Sequence, residues 1–117
     1  MTQWMSQFRR GVLELCVLNL LHAQPDHGYQ IVQRLKTIDG MDVRESSVYP
    51  ILARLKSDGF VVVHDEPSPT GPSRRVFRLT ASGQEHRRAL NAYWDLLQDS
   101  VNELRTHSSQ SLEGQPS

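Results

Sequence analysis

Residues 45–60, ESSVYPILARLKSDGF, decide the fold. The apolar residues Val48, Ile51, Leu52 and Leu55 recur at i, i+3, i+4 and i+7, one stripe of an α-helix. The opposite face carries Ser46, Ser47, Tyr49, Pro50, Arg54 and Ser57, and no carboxylate occurs between Glu45 and Asp58. A face that is merely solvated mixes both signs of charge, and this one does not. Short hydroxyl side chains permit close approach to a DNA major groove, and an arginine can pair both acceptors of a guanine. Ser46 or Ser47 is expected to cap the first turn, and Pro50 fits close to a helix start. Gly59 supplies the stop.

Beyond Gly59 the period changes. Phe60–His64, FVVVH, is short and β-branched and reads as a strand. Glu66–Ser73 holds three prolines and a glycine and reads as a loop. Arg74–Leu79, RRVFRL, alternates Val76 and Arg78 against Phe77 and Leu79 and makes the return strand. Upstream, Ser6–Ala23 forms a first helix, with Phe8, Val12, Leu15 and Asn19 on one face and Leu13, Val17, Leu20 and Leu21 on another. A helix apolar on several sides is buried on more than one, here by its own domain and by a second chain. Gln24-Pro25-Asp26 ends it, and a second helix runs from Tyr29 to about Ile38. Three helices, a strand, a loop and a strand make a winged helix-turn-helix, mainly α with a small β-wing.

Thr80 is expected to cap a last helix whose apolar positions are Leu90, Tyr93, Trp94, Leu97, Val101 and Leu104. Their alternating steps of three and four resemble a heptad seam, which needs a helical partner. A second subunit is the expected partner, making this stripe a homodimer interface. The organisation is therefore a winged helix-turn-helix domain over 1–79, a long C-terminal dimerisation helix over 80–105, and a polar, disordered tail over 106–117.

The 117 residues allow one modest core, and the low 38% apolar content leads us to expect a partner chain to complete burial. No run approaches the roughly 20 apolar residues of a membrane span. The apolar block Val12–Leu21 is itself broken by Glu14 and Asn19. The N-terminus lacks the order of features of a signal peptide, and the single Cys16 reads as a small hydrophobe in a reducing cytoplasm. Net charge is zero, but residues 30–78 hold eight cations against six acids. That excess surrounds the helix of residues 45–60.

Several segments together carry a family resemblance: Ser47-Val48-Tyr49-Pro50-Ile51-Leu52, Arg54-Leu55, Asp58-Gly59, and Arg75-Val76-Phe77-Arg78-Leu79-Thr80-Ala81-Ser82-Gly83. With Arg10-Gly11 and Gly28-Tyr29 at the openings of the first two helices, the sequence resembles PadR-family transcriptional regulators over residues 8–105. The single short C-terminal helix is similar to the smaller subgroup, in which that helix crosses to the other protomer. The resemblance implies a homodimeric winged-helix repressor that binds double-stranded operator DNA and releases it when an effector binds. In that subgroup the position of Trp94 lines a cleft between subunits where flat aromatic compounds stack, and Phe8, Leu15 and Asn19 are candidates for the same cleft. Val76 stands where the family's wing usually has an aromatic.

The candidate DNA contacts are Ser46, Ser47, Tyr49, Pro50 and Arg54 on the recognition helix, and Arg74 and Arg75 at the wing. Tyr49 lies off the apolar stripe, so its hydroxyl can reach a phosphate. Arg44, Lys56 and Lys36 suit general electrostatic contact. The five histidines show no metal spacing, no catalytic arrangement is visible, and no cofactor is implied. An enzyme is therefore disfavoured. The competing reading is a winged helix used as a protein-interaction module without a DNA site, and the zero net charge is its main support.

Overall fold

The computed structural model describes residues 3–114, with side chains described for residues 4–107. The elements are α1 (Gln3–Ala23), β1 (Asp26–His27), α2 (Gly28–Lys36), α3 (Glu45–Ser57), β2 (Val61–Ser68), β3 (Gly71–Leu79) and α4 (Ala81–Gly114). The chain divides into two compact units, Met1–Arg87 and Arg88–Ser117, so the first turns of α4 belong with the winged helix.

In the first unit the core lies between the three helices and the sheet. Val17 and Leu18 of α1, Ile31 and Val32 of α2, and Val48, Leu52 and Leu55 of α3 are fully or almost fully buried, as is Val61 of β2. Burying each such side chain contributes about 1.5–3 kcal/mol. The 48-51-52-55 stripe therefore faces inward, and the polar side of α3 is left outside.

Two of the helix ends are set by local chemistry. α3 ends in a Schellman motif: Gly59 adopts φ 80°, Phe60 N–H donates to the Leu55 carbonyl (2.9 Å), and Gly59 N–H donates to that of Lys56 (3.1 Å). α4 is capped as its sequence suggests, with Gly83 N–H donating to Thr80 Oγ1 at 3.0 Å. The start of α3 differs from expectation. Its N-cap is Arg44, without a side-chain cap, and Ser46 and Ser47 lie inside the first turn. The Arg44 carbonyl instead takes the N–H groups of Ser47 and Val48.

The sheet also exceeds its sequence signal. It has three strands in the order β1-β3-β2, all antiparallel. Asp26, read as the last residue of the break after the first helix, and His27 beyond it pair with Phe77 and Val76. The wing is a long hairpin, and the proline-rich stretch read as a loop is largely strand. The register slips between Glu66 and Ser68, so Pro67 sits at an irregularity where its missing N–H is tolerated. Val76 and Phe77 are both buried, against the simple alternation expected of β3. Ile38 is exposed, because α2 stops at Lys36.

In the second unit α4 continues without a break to Gly114, past the end expected near Arg105. Extending an existing helix adds one hydrogen bond per residue without a new nucleus, so a polar composition does not by itself end it. Residues 115–117 of the expected tail lie outside the described residues. Tyr93, Trp94, Leu97, Val101 and Leu104 are all exposed, and Leu90 is half-buried. No helix among the described residues is long and apolar enough to cross a membrane.

Candidate nucleic-acid interface

The outer side of α3 presents Ser46, Ser47, Tyr49, Pro50, Ala53, Arg54 and Lys56, all exposed. Arg44 just precedes it, also exposed. Against expectation, Pro50 lies inside the helix rather than at its start: in the second turn its missing N–H leaves the Ser46 carbonyl without its usual partner and its ring crowds that carbonyl. The structure thus brings the recognition-helix candidates onto one open surface.

Tyr49 is held by a close approach. A Cβ on Gly28, at the start of α2, would lie 2.7 Å from Tyr49 Cε1. The tyrosine ring is therefore laid against backbone that only glycine leaves open. A recess of about 270 Å³ runs from there to the wing, lined by His27, Gly28, Tyr49, Arg74 and Arg75. Arg74 lies 3.4 Å from His27 Nε2, and in the wing ladder Arg74 and Arg75 face Glu66 and Asp65. The wing arginines and Tyr49 thus share one side of α3.

Arg54 lies toward α1, where it forms an ion pair with Glu14. The other oxygen of Glu14 is 3.2 Å from His86 Nε2, in the second turn of α4. The His86 ring stacks on Phe60, with centroids 4.1 Å apart and planes 8° from parallel. Burial pushes the Glu14 carboxyl up, but hydrogen bonds from Arg54 and His86, with their charges, outweigh it and hold the pKa below its ordinary value. A second recess, about 410 Å³, opens between α1 and α3, lined by Arg9, Arg10, Ser46, Ser47, Pro50 and Arg54.

Glu14, His86 and Arg9 were not singled out by sequence reasoning, and Gly28 and Arg10 entered it only as part of the family resemblance, with no role at the site. Glu14 had a signal: it is the acid that interrupts the apolar block of the first helix. Its partners, 40 and 72 positions away, left none.

Three comparisons place this architecture. The model of the PadR-like family of transcriptional regulators matches residues 17–89. The chain belongs to the PadR-like family. Among PadR-like and related proteins, it is 34% identical over 90 residues to the transcriptional regulator Rv3488 of Mycobacterium tuberculosis, covering 74% of this chain and 82% of that one. A PadR-like transcription factor from Bacteroides fragilis is 36% identical, with a TM-score of 0.71, over 88% of this chain and 99% of that one. A PadR-family regulator from Eggerthella lenta is 31% identical, with a TM-score of 0.75, over 84% and 85%. This PadR-like chain is a transcriptional regulator with a winged-helix fold.

The remaining candidates fall on both units. Phe8 of α1 is 72% exposed, whereas Leu15 is buried. The Asn19 side-chain oxygen accepts from Arg87 at 3.3 Å. Trp94 is 37% exposed on the second unit. Burial raises the Cys16 thiol pKa, which keeps it protonated and a poor nucleophile. No group of three metal-ligating side chains occurs among the described residues.

Proposed function

We propose that this chain is a homodimeric, sequence-specific repressor of transcription, relieved when a flat aromatic compound binds. The observation that carries the DNA-binding part is the outer side of α3. It is open, free of acids from Ser46 to Ser57, and flanked by the wing arginines Arg74 and Arg75. Ser46, Ser47 and Pro50 approach base edges, Tyr49 and the wing arginines contact phosphates, and Arg44 and Lys56 add attraction. Arg54 is available to DNA once it exchanges Glu14 for an acceptor on the nucleic acid.

The exposed stripe Tyr93, Leu97, Val101 and Leu104 supports pairing of α4 with its counterpart in a second copy, with Leu90 at its start. Trp94 on the same helix supplies the stacking face for the effector.

A gel-shift assay at low salt, with the DNA upstream of the protein's own gene, tests the reading. That fragment should be retarded at a lower protein concentration than an unrelated fragment of equal length. Equal retardation would remove sequence specificity, and no retardation of either would favour the interaction-module reading.

A further inference from the structure

We propose that α1 supplies a second phosphate-binding wall, in which Arg9 and Arg10 seat a DNA backbone phosphate on the side of α3 opposite the wing. The inference rests on the DNA-binding reading above and extends it to an element outside the helix-turn-helix and the wing.

The geometry comes from the helix itself. Successive residues turn by roughly 100°, so with Val48, Ile51, Leu52 and Leu55 inward, Ser46, Pro50 and Ala53 point straight out. Tyr49 and Lys56 then fall on one flank, Ser47 and Arg54 on the other. The Tyr49 flank leads to Arg74 and Arg75. The Arg54 flank opens into the 410 Å³ recess bordered by Arg9 and Arg10. A helix seated in the major groove, about 12 Å wide, has a phosphate backbone on each side of it. Cations stand on both sides here.

The charges of the recess favour an anion. Arg54 is balanced by Glu14, and Arg9 lies 4.0 Å from Asp42. Arg10 is exposed and makes no ion pair with any described residue, whereas Glu14, one turn further along α1, is engaged by Arg54 and His86. Ser47 adds a hydroxyl donor, and Leu13 and Ile51 give the floor an apolar part on which a deoxyribose edge can rest. The chemistry required is that of a phosphodiester, a monoanion with apolar sugar on either side. A free phosphate or small organic anion shares the charge but not the sugar.

The test uses the full chain and its salt dependence. For the wild type, Arg10→Gln and Arg10→Lys, affinity is measured for the promoter duplex and an unrelated duplex across a range of chloride concentrations. Arg10→Gln removes one contact from each protomer of the dimer, so it should lower the slope of log K against log salt by about 1.8, and weaken both duplexes equally, by roughly thirtyfold to a hundredfold near 0.1 M salt. Arg10→Lys should keep the wild-type slope, and neither variant should shift the thermal midpoint. An unchanged slope in Arg10→Gln, while the wild type binds DNA, overturns the second wall and leaves the DNA reading intact. Failure of the wild type to bind either duplex removes both. A parallel titration with inorganic phosphate, at constant ionic strength, separates the other source. Competition at low millimolar phosphate that Arg10→Gln abolishes, with the DNA slope unchanged, would make the recess a free-anion site and overturn the proposal.

Discussion

Glu14 and Arg54, 40 positions apart, form an ion pair that ties α3 to α1. Because the second oxygen of Glu14 meets His86, one carboxylate joins α1, α3 and the base of α4. Its folded pKa lies below the ordinary 4.5, so it binds fewer protons in the folded than in the unfolded chain. The resulting stabilisation is complete above the unfolded value and is lost as pH falls through the folded one. Thermal midpoints measured from pH 7 down to pH 3 should therefore fall less steeply in Glu14→Gln than in the wild type. Parallel curves would mean that the pair contributes nothing to acid sensitivity.

Gly28→Ala should displace Tyr49, since the new methyl would stand 2.7 Å from its ring. The neighbour is a side chain at the surface, so the cost to stability is small and the cost to DNA binding is the larger effect. In a double-mutant cycle with Tyr49→Ala, the two losses of affinity should be clearly less than additive. Full additivity would show that the glycine acts independently of the tyrosine.

Gly83→Ala should be severe. A Cβ there would lie 2.0 Å from the Phe60 carbonyl oxygen and 2.9 Å from its carbon, both backbone atoms that cannot swing aside. Overpacking of this kind costs about 1–3 kcal/mol or more. Urea unfolding should show a clearly lowered midpoint, and a wild-type midpoint would contradict the tight approach.

Charge placed on the exposed stripe should abolish self-association. Leu97→Asp combined with Val101→Asp alters residues 41% and 53% exposed in the single chain, so the protomer should keep its fold. Sedimentation should report a monomer with unchanged helix content. A persisting dimer would place the interface elsewhere.

Trp94 can be tested optically, in a Trp4→Phe background that removes the other indole. Titration with a planar cationic dye should give saturable quenching that disappears in Trp94→Ala. If binding relieves repression, promoter DNA must weaken the dye by the same factor by which the dye weakens DNA. Quenching unaffected by DNA would separate the dye site from regulation.

The helices and the wing were legible because each carries its own periodicity, and Gly59 and Thr80 carry their own end signals. β1 was not, since a two-residue strand exists only through its pairing with β3. Ser46 and Ser47 misled: residues that suit a cap also suit a first turn, and Arg44 took the position instead. The surface of α3 followed from its stripe, because burying one face of a helix fixes the other. What Arg54 and Tyr49 lean against did not follow, because Glu14 and Gly28 are neighbours only after folding.

The joint between α3 and α4 is very short. Thr80 N–H donates to the Phe60 carbonyl, Thr80 and Ser82 hydroxyls both donate to the Gly59 carbonyl, and Gly83 lies against Phe60. The end of α3 and the root of α4 are thus fastened to the same two residues, as a spliced beam is bolted at a single plate. Such a joint makes the molecule modular. The helix beyond Arg87 can be exchanged for one of different length or partner preference while residues 59, 60, 80, 82 and 83 stay fixed. Chimaeras cut just after Arg87 should therefore keep the DNA preference of this winged helix and take their subunit pairing from the donor of the helix.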